Sequence, residues 1–181
     1  MNLTQLRHVI FELGERFDVR VVYIVGSSAV LASIPAPEAD ELVATRDVDV
    51  ALPAGAPISI DRIDFVVGEG SDFDQQHGYY AQGVALTTPA YAPVGWVQRT
   101  VAMRVGKVTA NCMELHDLAL AKYGAGREKD LAFTRPGRNR RLVARRTDRA
   151  ARCRADDREP QGPNRGSNRS GFRYLNFVQR G

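Results

Sequence analysis

Five consecutive β-branched or aromatic residues, Val21-Val22-Tyr23-Ile24-Val25, run directly into Gly26-Ser27. A continuous apolar run of this kind fits a buried strand. Ser27-Ser28-Ala29-Val30-Leu31-Ala32 then reads as the first turns of a short helix, stopped near Pro35. Further on, Val48, Val50 and Leu52 alternate with Asp47, Asp49 and Ala51, the period-2 signature of a half-buried strand. On such a strand the two aspartates share one face. The order strand, Gly-Ser corner, helix, Asp-x-Asp strand constrains this chain more than any other feature.

The flanking segments supply the rest of a domain. Leu3, Leu6, Val9, Ile10 and Leu13 recur at helical spacing, so residues 3–15 predict an amphipathic helix capped by Asn2 and weakened near Gly14. One more helical turn is expected over 39–43. Residues 58–65 fit a short helix, with ambiguous apolar spacing, and residues 68–77 read as a loop and a polar segment. Three strands are expected over 79–86, 96–105 and 107–113, the last two joined by a hairpin turn at Gly106-Lys107. Leu115, Leu118, Ala119, Lys122 and Tyr123 return to helical spacing, and a further helical stretch follows over 127–133. This order predicts an α+β domain over residues 1–134.

Each part of the opening constellation serves phosphoryl chemistry. A glycine after a strand lets the backbone approach a phosphate, and Ser27 with the following helix start offers hydrogen-bond donors. Asp47 and Asp49 can hold Mg²⁺ or Mn²⁺, hard cations that prefer carboxylate and phosphate oxygens. The plain alternative for the two aspartates is a solvated strand face. Order and context favour the site.

Tyr23-Ile24-Val25-Gly26-Ser27-Ser28-Ala29-Val30-Leu31 and Thr45-Arg46-Asp47-Val48-Asp49-Val50 resemble the nucleotidyltransferase superfamily, which includes DNA polymerase β and small bacterial transferases. Within it, the chain is most similar to a bacterial group related to the nucleotidyltransferase toxins of abortive-infection systems. Further matching stretches are Val67–Phe73, His77–Val84, Gly95-Trp96, Leu115–Lys122 and Ala125–Asp130, so the resemblance spans residues 1 to about 134. It implies a mixed, largely antiparallel sheet flanked by helices. It also implies transfer of a nucleotide from an NTP to a hydroxyl on RNA, including tRNA, or on a protein, with a cognate antitoxin as partner. By this resemblance Gly26 and Ser27 bind the triphosphate and Asp47 and Asp49 the metal, while Lys122 and Arg127 contact phosphates and Asp130 completes the site. Solvated helical ion pairs are the plain reading of Arg127 to Asp130. Two departures stand out. Nineteen residues separate Ser27 from Asp47, more than the family usually has. A third carboxylate has no clear strand position; Asp64 is the positional candidate. A catalytically lapsed fold that binds nucleotide or a partner protein is therefore the rival reading.

Net charge splits the chain. Residues 1–134 hold 11 Lys+Arg against 17 Asp+Glu, whereas residues 135–181 hold 14 Arg, no Lys and four acidic groups. This Arg-, Gly-, Pro- and Asn-rich tail cannot bury enough apolar surface to fold and is expected to be disordered. Two origins fit it: an RNA-binding arm, which would make the protein a basic adaptor, or a reading frame shifted after codon 134. No apolar run reaches the ~20 residues that span a bilayer, and no signal peptide opens the chain, so a cytoplasmic protein without a membrane partner is expected. Cys112 and Cys153 make no disulfide framework or metal spacing, and Cys112 should be buried and inert. His77 and His116 stand alone, the latter with Asp117 at an expected helix cap. Tyr79, Tyr80 and Trp96 fit the core better than a base-stacking role.

Overall fold

The computed structural model describes residues 1–35 and 45–126. The elements run α1 (Leu3–Phe17), β1 (Val21–Val25), a 3₁₀ helix (Ser27–Ala32), β2 (Asp47–Ala51), α2 (Ile60–Val67), α3 (Asp72–His77), β3 (Tyr80–Gly83), a second 3₁₀ helix (Trp96–Arg99), β4 (Val101–Val105), β5 (Val108–Cys112) and α4 (Leu115–Ala125). They form an α+β fold on one five-stranded mixed sheet of order β3-β2-β1-β5-β4. Among the described residues no helix is long and apolar enough to cross a membrane. The turn expected over 39–43, the stretch 127–133 and the tail 135–181 lie outside the described residues.

Asn2 caps α1 through a full capping box, its side chain accepting from the Gln5 N–H while the Gln5 side chain accepts from the Asn2 N–H. Gly14 does not end the helix; α1 continues to Phe17. The glycine serves packing, since a Cβ there would lie 2.6 Å from Val108 Cγ2. It lets α1 approach the β4–β5 hairpin closely. That hairpin turns at Gly106 with φ 54°, where the left-handed backbone favours glycine.

The sheet is less antiparallel than expected. β1–β2 and β4–β5 run antiparallel, but β1–β5 and β2–β3 run parallel. The reason lies between β2 and β3. Residues 72–77, read from sequence as a polar segment, form α3, capped by the Ser71 hydroxyl. With α2 it makes the crossover that a parallel pair requires. The expected strand 79–86 shortens to Tyr80–Gly83, and Trp96–Arg99 forms a 3₁₀ helix where strand was expected.

The register sorts the sheet into two faces. Val22, Ile24, Val48, Val50, Ala81, Ala110 and Cys112 lie on the core side and are fully buried. They join Leu6, Val9, Ile10 and Leu13 of α1 and Ile63 and Val67 of α2 in a single apolar core. The opposite face carries Tyr23, Asp47, Asp49, Tyr80, Gln82, Thr109 and Asn111. Asp47 and Asp49 are the only acidic side chains on any of the five strands.

Candidate functional site

β1 ends at Val25, and Gly26 turns the chain with φ 67° and ψ −168°. This backbone is closed to residues with a side chain. Space demands glycine as well, because a Cβ at Gly26 would overlap the Asp49 carboxylate. Antiparallel pairing sets Val25 opposite Asp49, which brings that carboxylate over the Gly-Ser corner. A cleft of about 380 Å³ opens here, within the ~300–1,000 Å³ usual for small-molecule sites. Gly26 and Asp49 form one wall. Met113, Leu118, Ala121 and Lys122 form another, supplied by the end of β5 and by α4. Lys122 is only 9% exposed, and so is held at the cleft by the helix.

The structure thus gathers Gly26, Asp49 and Lys122 around one cleft. Asp47 shares the strand face with Asp49, is half-buried, and accepts a hydrogen bond from the Thr45 hydroxyl that orients its carboxylate. Ser27 opens the 3₁₀ helix and is half-buried beside the cleft rather than in its wall. Beneath it the Ser28 hydroxyl is buried without a hydrogen-bond partner among the described residues. Arg127 and Asp130 lie outside the described residues.

Asp64 is not placed as a third acid beside the pair. It lies on α2, is exposed, and its carboxylate accepts from the Gly83 backbone N–H. The ladder explains why that amide is available. The Tyr80 and Val84 N–H groups donate across to the Arg46 and Val50 carbonyls of β2 and its approach, so by alternation the Gly83 N–H points to the open side of β3. In the parallel register the neighbours of Asp47 and Asp49 are Tyr80 and Gln82, neither of them a carboxylate. Among the described residues no group of three or more His, Cys, Asp or Glu side chains is arranged to hold a metal.

Around the site, charged pairs fix the approach of the chain. Arg46, just before β2, donates to the buried Asp74 carboxylate at 2.6 Å and to the Gly78 carbonyl at 3.0 Å. Arg99 grips Asp117 of α4 with two bonds of 2.9 Å and also donates to the Val94 carbonyl at 3.2 Å. The hydrogen bonds that it donates to the Asp117 carboxylate hold the Arg99 guanidinium above its ordinary pKa. Asp117 is therefore a clamp, and the α4 cap is Glu114, whose carboxylate accepts from the His116 and Asp117 N–H groups. His116 Nδ1 lies 2.8 Å from the same Glu114 carboxylate. His77 does not stand alone: its ring packs on His8, Phe73 and Tyr79, and the Tyr79 hydroxyl lies 2.8 Å from His8 Nδ1. Burial and then the Glu12 charge push the Tyr79 phenol up.

Of the aromatics read from sequence, Trp96 packs edge-on to Tyr23, and none of Tyr79, Tyr80 and Trp96 lines the cleft. Among the described residues the aromatic that does is Tyr91, from the segment between β3 and β4. Sequence reasoning passed it over, since a lone tyrosine among Thr, Pro and Ala carries no periodic signal. Compared with known proteins, the chain matches no family model, no curated protein and no solved structure.

Proposed function

We propose that this is a nucleotidyltransferase-like protein that moves a nucleotide from an NTP to a hydroxyl on RNA, such as tRNA, or on a protein. The observation that carries the reading is the meeting of Gly26, Asp49 and Lys122 at one cleft. In the transfer, the hydroxyl oxygen bonds to the α-phosphorus, the α–β bridging P–O bond breaks, and pyrophosphate leaves. The hydroxyl proton passes to a carboxylate or to water. Lys122, buried on α4, is a point charge suited to the phosphates. Gly26 lets the triphosphate approach the backbone, with Ser27 beside it.

The donor set suits Mg²⁺ or Mn²⁺. Mg²⁺ is commonly held by one or two carboxylates and substrate phosphates, with water filling the other positions, and Asp47 and Asp49 offer two carboxylates on one strand face. When bound, such an ion offsets the charge of the phosphates. Thr45 orients Asp47, and the Gly26 corner leaves room for Asp49.

Gln82 and Tyr80, where a neighbouring strand could have supplied another acid, favour a second reading: nucleotide binding without transfer. Purified protein incubated with labelled NTPs, Mg²⁺ and total tRNA separates the two. Label transfer in the wild type that disappears in Asp49→Asn supports the enzyme. Nucleotide binding with no transfer supports the lapsed fold. RNA retention by residues 135–181 alone would instead make the tail the working part.

A further inference from the structure

We propose that Tyr91, seated on Gly124, is the platform on which the nucleobase stacks, and that the cleft consequently accepts nucleoside triphosphates with little discrimination between bases. This rests on the nucleotide reading of the cleft and extends it to the part of the ligand that the aspartates and the lysine do not address.

The cleft lining divides by chemistry. Asp49 and Lys122 carry its charge, whereas Pro89, Tyr91, Met113 and Leu118 offer apolar surface. A nucleotide divides the same way, into a charged phosphate chain and a flat, largely apolar base. Tyr91 is 62% exposed, an unusual state for a large aromatic side chain that lines a cleft. Its ring is open, but its stem is held. A Cβ on Gly124 would lie 2.8 Å from Tyr91 Cβ and 3.1 Å from its Cγ, so the tyrosine rests directly against the backbone of α4.

The loop that presents Tyr91 is braced along its length. The Thr88 N–H donates to the Ala85 carbonyl and the Ala92 N–H to the Pro89 carbonyl, each at 2.8 Å. Beyond the tyrosine, Arg99 joins the Val94 carbonyl to Asp117 of α4. A ring fixed in this way offers a stacking face at little ordering cost, and every base has a matching π-face. Discrimination needs hydrogen-bonding groups aimed at the base edge. Among the described residues, the lining side chains other than Asp49 and Lys122 contribute only the Thr88 hydroxyl and the Tyr91 phenol.

The test is binding of ATP, CTP, GTP, UTP and inorganic tripolyphosphate to the full chain with Mg²⁺, by calorimetry. The wild type should bind the four nucleotides within about tenfold of one another. Tyr91→Ala should weaken each by about 5- to 150-fold, the range of base–aromatic stacking, and leave tripolyphosphate unchanged, while Tyr91→Phe should stay near wild type. Gly124→Ala, which must displace Tyr91, should lower nucleotide but not tripolyphosphate affinity. Nucleotide affinity unaltered in Tyr91→Ala overturns the platform, as does a preference above 100-fold for one base. If Lys122→Met then abolishes binding of both nucleotide and tripolyphosphate, the nucleotide reading stands without the platform. No binding of either ligand by the wild type overturns both.

Discussion

Gly26 shows how one residue can be fixed by two independent demands. Its positive φ excludes side chains, and the Asp49 carboxylate occupies the space a Cβ would need. Gly26→Ala should therefore cost about 1–3 kcal/mol in backbone strain and displace Asp49. Urea unfolding should record the first effect and loss of nucleotide binding the second. The sequence made Gly26 legible through the strand that precedes it. The bond from the Gly83 N–H to Asp64 was not legible, because residue type and chain position say nothing of which way a helix presents a carboxylate. Cys112 was legible, since its strand neighbours are apolar. Burial pushes its thiol up from 9.0 to about 12. The folded state thus holds this proton more tightly than the unfolded chain, so the associated stability is complete below pH 9 and falls as pH rises toward 12. Unfolding free energy measured from pH 8 to 11 should decline by at most about 1.4 kcal/mol per unit from this group. Cys112→Ala should flatten that part of the slope; Tyr79 and Tyr80, also raised by burial, add theirs only above their ordinary 10.0.

Among elements, those with a strong local period were read well and those set by tertiary contacts were not. Both β1 and the β4–β5 hairpin follow from alternation or apolar runs with a turn glycine. α3 was missed because Asp72–His77 is polar and short; its Ser71 cap and the buried Phe73 and Asp74 hold it. Gly14 illustrates the same limit, since its cost to α1 was visible but its contact with Val108 was not. α4 was recognised although it is apolar on both sides, with Leu118 and Ala121 buried but Leu120 and Tyr123 exposed. Its tie to the 3₁₀ helix Trp96–Arg99 is the Arg99–Asp117 clamp, which no local pattern announces. Arg99→Ala leaves the buried Asp117 carboxylate without that partner and releases the Val94 carbonyl. The urea midpoint should fall, and hydrogen exchange should quicken at the Ala92 and Trp96 amides while the β1 and β5 amides keep their protection.

At the largest scale, the described residues form one apolar core beneath a sheet whose other face carries polar residues, including both strand aspartates. That division follows from alternation and could be read in advance for β2. The strand order could not, because it depends on the α2–α3 crossover. The cleft could be read only in part: Gly26 and Lys122 are far apart in sequence and meet because β1, β2 and α4 converge. At the other margin of the sheet, β3 has no strand partner on its outer side among the described residues and would offer its backbone groups to an extended chain that came alongside. The Asp64 carboxylate already occupies the Gly83 N–H on that margin, and a negative charge there also repels an approaching strand. On this argument Asp64 should hinder pairing between molecules. Asp64→Ala should leave nucleotide binding intact yet promote concentration-dependent association, which light scattering at rising protein concentration would detect.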